Sequence, residues 1–128
     1  MIFFKYYKEA KEAGDSVIVI LIASKFSGTL LKFKPILQVK DGVISVLGKE
    51  RGTNKGIAKV LELMDEVGEI DHNYPVYFGY TAEDDKGIQL KAKATEKYGL
   101  TNTDLYPVGC VVGTHAGPGA SVVAYIRK

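Results

Sequence analysis

The chain commits itself at residues 16–24, where SVIVILIAS runs without a charge and is dominated by β-branched and aliphatic side chains. Such a run reads as a strand covered on both faces, the pattern found in the middle of a parallel sheet. A parallel neighbour needs a crossover of a dozen or more residues, and the sequence does not supply one. Directly after SKFSGT (24–29) the stretch LLKFKPILQVKDGVISVLGKE alternates. Leu31, Phe33, Pro35, Leu37 and Val39 fall on one face and Lys32, Lys34, Gln38 and Lys40 on the other. With a turn at Asp41-Gly42, this is a β-hairpin. The buried strand is therefore expected to find a partner strand the pattern does not reveal, or to pair with a second molecule, because an open apolar edge aggregates. A homo-oligomer, specifically a dimer, is the expectation.

The remaining elements follow from periodicity. Phe3, Tyr6, Tyr7 and Ala10 recur at helical spacing and predict an amphipathic helix over 2–12, ended by Ala13-Gly14. Ile57, Val60, Leu61, Met64 and Val67 predict a helix from Thr53 to Val67, with Thr53 or Asn54 as its cap. YPVYFGYT is a strand, and Glu83–Tyr98 is a second helix with acids at its positive end and Gly99 as its stop. DLYPVGCVVGTH and SVVAYIRK are the last strands. The chain is thus expected to divide into a helix-strand-SGT segment, 1–30, and an α/β domain, 31–128, with the order β-β-α-β-α-β-β.

At 128 residues, 46% hydrophobic and 25% charged, the chain has the size and balance of one ordinary soluble domain. Its 17 basic and 15 acidic residues are interspersed, leaving a net charge of +2, so no basic stripe points to nucleic acid. One cysteine, Cys110, sits in an apolar run and suits a reducing compartment. The apolar run over 17–23 is too short for a bilayer and follows a charged segment, which argues against membrane insertion and a signal peptide. A cytoplasmic location is expected.

Two stretches carry residues suited to chemistry. In SKFSGT, Ser24, Ser27 and Thr29 offer hydroxyls beside free backbone N–H groups at a strand end. In VVGTHAGPG (111–119), the glycines let a ligand approach the backbone while Thr114 and His115 supply donors suited to a carboxylate or phosphate. The alternative readings are a capping hydroxyl loop and a strand-end histidine that bonds carbonyls. GKERGTNKG adds Lys49, Arg51 and Lys55 in a turn that steers an anion or is simply solvated. His72 lies in a polar turn with a structural or merely exposed role. P-loop, dinucleotide and zinc-site spacings are missing, so no cofactor or metal is expected. A serine hydrolase using Ser24 or Ser27, His115 and Asp104 or Asp41 is a minor alternative, because the Gly-x-Ser-x-Gly elbow is not there.

Taken together, SVIVILIASKFSGT, the KPIL strand with its DG turn, the basic turn before a helix, and the closing GTHAGPG resemble the DegV family of bacterial fatty-acid-binding proteins. The resemblance implies a DegV-like C-terminal lobe preceded by a helix-strand remnant of the N-terminal lobe, in a shortened chain joined near Thr29 to Leu31. It implies a non-catalytic function: binding a long-chain fatty acid in an apolar slot and presenting it to a fatty-acid kinase. The carboxylate contacts it implies are Ser24 first, then Ser27 and Thr29, with Thr114 and His115 at the head-group end and Arg51 from the basic turn. An interaction or oligomerisation domain that no longer binds lipid is the competing expectation.

Overall fold

In a computed structural model of the chain, residues 16–23, 25–26, 29–30, 33–40, 43–108 and 119–128 are described. The helix expected over 2–12 and the Asp41-Gly42 turn lie outside them. The described elements run β1 (Ser16–Ile22), β2 (Lys25–Phe26), β3 (Thr29–Leu30), β4 (Lys34–Lys40), β5 (Val43–Glu50), α1 (Thr53–Val67), β6 (Val76–Tyr80), α2 (Asp85–Tyr98), β7 (Thr103–Pro107) and β8 (Ser121–Arg127). From β4 onward this is the expected β-β-α-β-α-β-β order.

Six strands form one sheet in the order β5-β4-β1-β8-β6-β7, and β2 and β3 make a small ribbon beside it. β1 lies in the interior, antiparallel to β4 on one side and to β8 on the other. The parallel-sheet reading of β1 is thereby corrected. An all-apolar run reports two covered faces, not the direction of its neighbours, and the short link to β4 is sufficient for an antiparallel partner. The partner missing from the sequence pattern is β8, at the far end of the chain, with Ser16 opposite Arg127 and Ile22 opposite Ser121. The open edge from which a dimer was expected therefore does not exist at β1. The boundary drawn near residue 30 separates β1 from β4 in sequence, whereas in space they are adjacent strands.

Both helices cover the same face. Ile18, Ile20 and Ile22 of β1, Ile36 of β4, Phe78 of β6, and Val123 and Tyr125 of β8 meet Ile57, Val60 and Met64 of α1 and Leu90 and Ala94 of α2 in one core. At roughly 1.5–3 kcal/mol per large side chain buried, this layer is the main source of stability. The other parity of the strands forms a smaller cluster of Leu21, Ala23, Leu37 and Ala120. β6 and β7 are parallel, with α2 as their crossover.

Helix α1 matches its predicted span but is capped by Gly52 (φ 87°) instead of Thr53 or Asn54, because the turn out of β5 needs a positive φ. Helix α2 starts at Asp85 behind the Asp84 cap, two residues later than the expected Glu83, and ends on Gly99 in the left-handed conformation, as the sequence predicts. Gly87 lets α2 lie close to the sheet: a Cβ there would be 3.1 Å from Leu105 Cδ1, 3.1 Å from Tyr80 Cβ and 3.2 Å from the Gly79 carbonyl oxygen. Across the helices, Tyr98 places its hydroxyl 3.0 Å from the Leu61 carbonyl oxygen and 2.8 Å from Asp65 Oδ1.

Candidate functional site

The strand directions bring one end of the sheet together from all six of its strands. Ala23 follows β1 and donates its N–H to the Pro35 carbonyl at 2.9 Å, next to Lys34 at the start of β4. Lys34 is paired with Glu50 at the end of β5. Tyr80 at the end of β6 is paired with Pro107 and with Ser121, so β7 ends and β8 begins there too. Helices α1 and α2 start from the adjoining turns and aim their positive ends to the same side.

Buried Thr81 ties this end down. Its N–H donates to the Ala120 carbonyl (3.1 Å), its Oγ1 accepts from the Ala120 N–H (2.8 Å), and its carbonyl accepts from Gly119 N–H (3.0 Å). Val108 N–H donates to the Tyr80 carbonyl at 2.8 Å. Val108 and Gly119 thus flank the glycine-rich segment, anchored on consecutive carbonyls of one strand end.

Of the predicted contact residues, Ser24, Ser27, Thr114 and His115 lie outside the described residues. Their flanking positions, 23, 25–26, 108 and 119, are described. Thr29 is paired with Phe26 in the β2–β3 ribbon. Arg51 is exposed in the turn between β5 and α1, at the same sheet end. Nearby, Lys49 lies over the Phe33 ring, 5.5 Å from its centroid. His72 is exposed in a turn, as expected. Asp104 pairs with Tyr77, three positions short of the Tyr80–Pro107 pair, hence about 10 Å from the sheet end.

The sequence reading missed a pair of lysines. The alternation puts Lys34 on the polar face of a strand and gives Lys86 no part, yet the Lys34 amine feels the charge of Lys86. Both side chains are half-buried. Burial first, and the Lys86 amine second, push the Lys34 amine down to about 8, while Asp85 acts the other way. Lys86 also lies against the glycine-rich segment, since a Cβ at Gly119 (φ 78°) would be 3.1 Å from its Nζ. One signal for Lys34 was its place at the strand start of the KPIL motif; nothing local marks Lys86. A groove of about 530 Å³ runs between the helices, lined by Ile57, Ala58, Leu61 and Ala92 with Asn54 and Gln89. Among the described residues, no group of three or more His, Cys, Asp or Glu could hold a metal ion, and no helix is long and apolar enough to cross a membrane.

Comparison with known proteins decides the family. A family profile described as "Uncharacterised protein, DegV family" matches residues 28–128. The chain belongs to the DegV family. It is 31% identical over 103 residues to the DegV domain-containing protein YteA of Lactococcus lactis, an alignment covering 79% of this chain and 35% of that protein. A DegV family protein of Eubacterium eligens loaded with heptadecanoic acid superposes with a TM-score of 0.74 at 16% identity, over 99% of this chain and 56% of that one. The fatty acid kinase (Fak) B3 protein of Streptococcus pneumoniae, loaded with linoleic acid, superposes with a TM-score of 0.76 at 15% identity, over 98% and 50%. At these identities the structural likeness establishes the fold. The chain spans about a third of that curated DegV relative and about half of these two solved structures.

Proposed function

We propose that this DegV chain is a non-catalytic, cytoplasmic binder of a long-chain fatty acid, holding the carboxylate at the sheet end and the acyl tail in an apolar slot. The observation that carries the reading is the convergence of the SKFSGT flanks, the basic turn with Arg51 and the Val108/Gly119 anchors on one sheet end, where both helix N-termini point. Ser24, Ser27, Thr29, Thr114, His115 and Arg51 are the proposed head-group contacts. The fatty acids carried by the Eubacterium and Streptococcus proteins support the ligand class. The kinase in the latter's name supports presentation of the acid to a fatty-acid kinase. The groove between α1 and α2, with Ile57, Leu61 and Ala92 in its wall, supplies apolar lining for a tail. Burial of a tail at about 0.8 kcal/mol per CH₂ dominates affinity, and the polar contacts set orientation.

The test is extraction and mass spectrometry of lipid bound to the purified chain, followed by displacement of a fluorescent fatty acid with oleate. A co-purifying long-chain acid with saturable displacement is expected. Protein that comes out lipid-free and neither binds the probe nor gains thermal stability with oleate overturns the reading.

A second reading, an interaction and oligomerisation module, is favoured by the β5 edge. There Val43, Ile44 and Val46 are 63%, 64% and 62% exposed on a strand paired on one side only. It requires a concentration-dependent dimer by light scattering and no response to oleate.

A further inference from the structure

The two edges of the sheet are protected unequally. Among the described residues β4 is the one neighbour of β5, so the other side of the β5 backbone is unpaired. Charge, proline and bulges are the usual guards of such an edge. The opposite edge, β7, has two of them in five residues: exposed Asp104, and Pro107, which has no N–H to offer. Over residues 43–46, β5 has neither charge nor proline, and Val43, Ile44 and Val46 are more than half exposed. Its bulge comes after that stretch, since Val46 pairs with Leu37 and Gly48 with Ile36, and the charges of Lys49 and Glu50 follow.

The backbone limits what can cover this edge: outward N–H and C=O groups call for another strand, which neither a helix nor an acyl chain supplies. Two residues link the Lys40–Val43 pair, so that pair closes the hairpin with its own hydrogen bonds. By alternation Ile44 and Val46 turn their backbone groups outward. Two antiparallel copies of β5 can match outward residues about a two-fold axis at Ile44, Ser45 or Val46. An axis at Val46 sets Val43 against the partner's Lys49, and one at Ile44 carries Val46 past the end of the partner's strand. The axis at Ser45 sets Ile44 against the partner's Val46 and Val43 level with the partner's Leu47, so each exposed apolar residue meets an apolar one. Residues 43–47 are uncharged, so the copies meet with no like charges opposed.

We infer that β5 is the contact between two copies of this chain, paired antiparallel about a two-fold axis at Ser45 so that two six-stranded sheets become one. The inference rests on the interaction reading for its surface and is independent of the fatty-acid reading. Glu50 marks the proposed head-group end, and antiparallel pairing sends the two such ends to opposite sides of the joined sheet. Pairing also extends the apolar face turned away from the helices, where Ile44 and Val46 lie opposite Val39 and Leu37.

The experiment combines sedimentation equilibrium of the full chain over a wide concentration range with disulfide trapping in a Cys110→Ser background. A reversible dimer is expected. Ser45→Cys should cross-link under oxidised glutathione, because a directly opposed pair brings its Cα atoms within disulfide range, whereas Lys49→Cys should not. The Ile44→Lys, Val46→Lys double variant should be monomeric at concentrations where the wild type is dimeric, with an unchanged circular-dichroism spectrum. Ile44→Pro, which removes an outward N–H, should do the same. A chain that stays monomeric throughout overturns the inference, as does a dimer that survives the double variant or that links through Lys49→Cys instead of Ser45→Cys. Displacement of the fluorescent fatty acid by oleate, measured on the same proteins, should be equal in wild type and double variant. A β5-linked dimer that ignores oleate keeps the contact and removes the fatty-acid reading alone.

Discussion

Thr81 and Ala120 are joined twice, Thr81 N–H to the Ala120 carbonyl at 3.1 Å and Ala120 N–H to Thr81 Oγ1 at 2.8 Å. Thr81 is buried, so no water can replace the side-chain bond. Thr81→Val should leave the Ala120 N–H unsatisfied and destabilise the fold by about 1–3 kcal/mol, while Thr81→Ser should lose much less. Urea denaturation of the two variants measures the difference, and a larger loss in Thr81→Ser than in Thr81→Val would assign the effect to methyl packing.

Gly87 sits where α2 touches the sheet. An alanine in a helix interior ordinarily gains about 1 kcal/mol over glycine, but here the added methyl meets Leu105, Tyr80 and a backbone carbonyl, all closer than ordinary contact. Gly87→Ala should therefore destabilise, by about 1–3 kcal/mol. A rise in Tm would show that α2 can shift outward without loss.

The Lys34 amine titrates near 8 in the folded chain against 10.5 unfolded, mainly through burial. A lysine lowered in this way costs stability wherever it is charged in both states. That cost is complete below about pH 8 and is relieved as pH rises toward 10.5. Relative to Lys34→Gln, the wild type should gain stability across that window. In Lys86→Gln the Lys34 titration should move up without returning to 10.5, because the burial remains. An NMR titration that finds Lys34 at its ordinary value in the wild type contradicts the burial of its amine.

Ile44 and Val46 lie on the outer strand β5, more than half exposed. Replacing both with lysine should leave the unfolding free energy within about 1 kcal/mol of the wild type and abolish any self-association detected by light scattering. Association that survives would have to use another surface.

Much of this was legible in the residues because local chemistry decided it. The 3.6-residue spacing of Ile57, Val60 and Met64 located α1, and Gly99 marked the end of α2 by its left-handed backbone. The length of β1 was equally plain, since every inward and outward position is apolar. Its direction was not, because strand direction is set by partners, and the decisive partner, β8, begins at Ser121. The place of Lys34 was illegible for a similar reason. Lys34 and Lys86 carry no spacing signal, and the charge of one reaches the other only because β4 and α2 both start at the same end of the sheet. The hydroxyls and histidine were easier to nominate, because Ser, Thr, Gly and His at strand ends declare a ligand-friendly backbone by type alone.

The antiparallel seam between β1 and β8 has a consequence for how the molecule comes into being. Ser16 meets Arg127, so a middle strand of the sheet is synthesised more than a hundred residues before the strand that covers its other edge. During that interval β1 can zip against β4 but keeps one apolar flank unsatisfied. The rate at which native protein accumulates should follow this single long-range closure more than the local helices. Any chaperone that shields residues 16–22 until β8 has been made becomes the natural control point for the yield of folded chain.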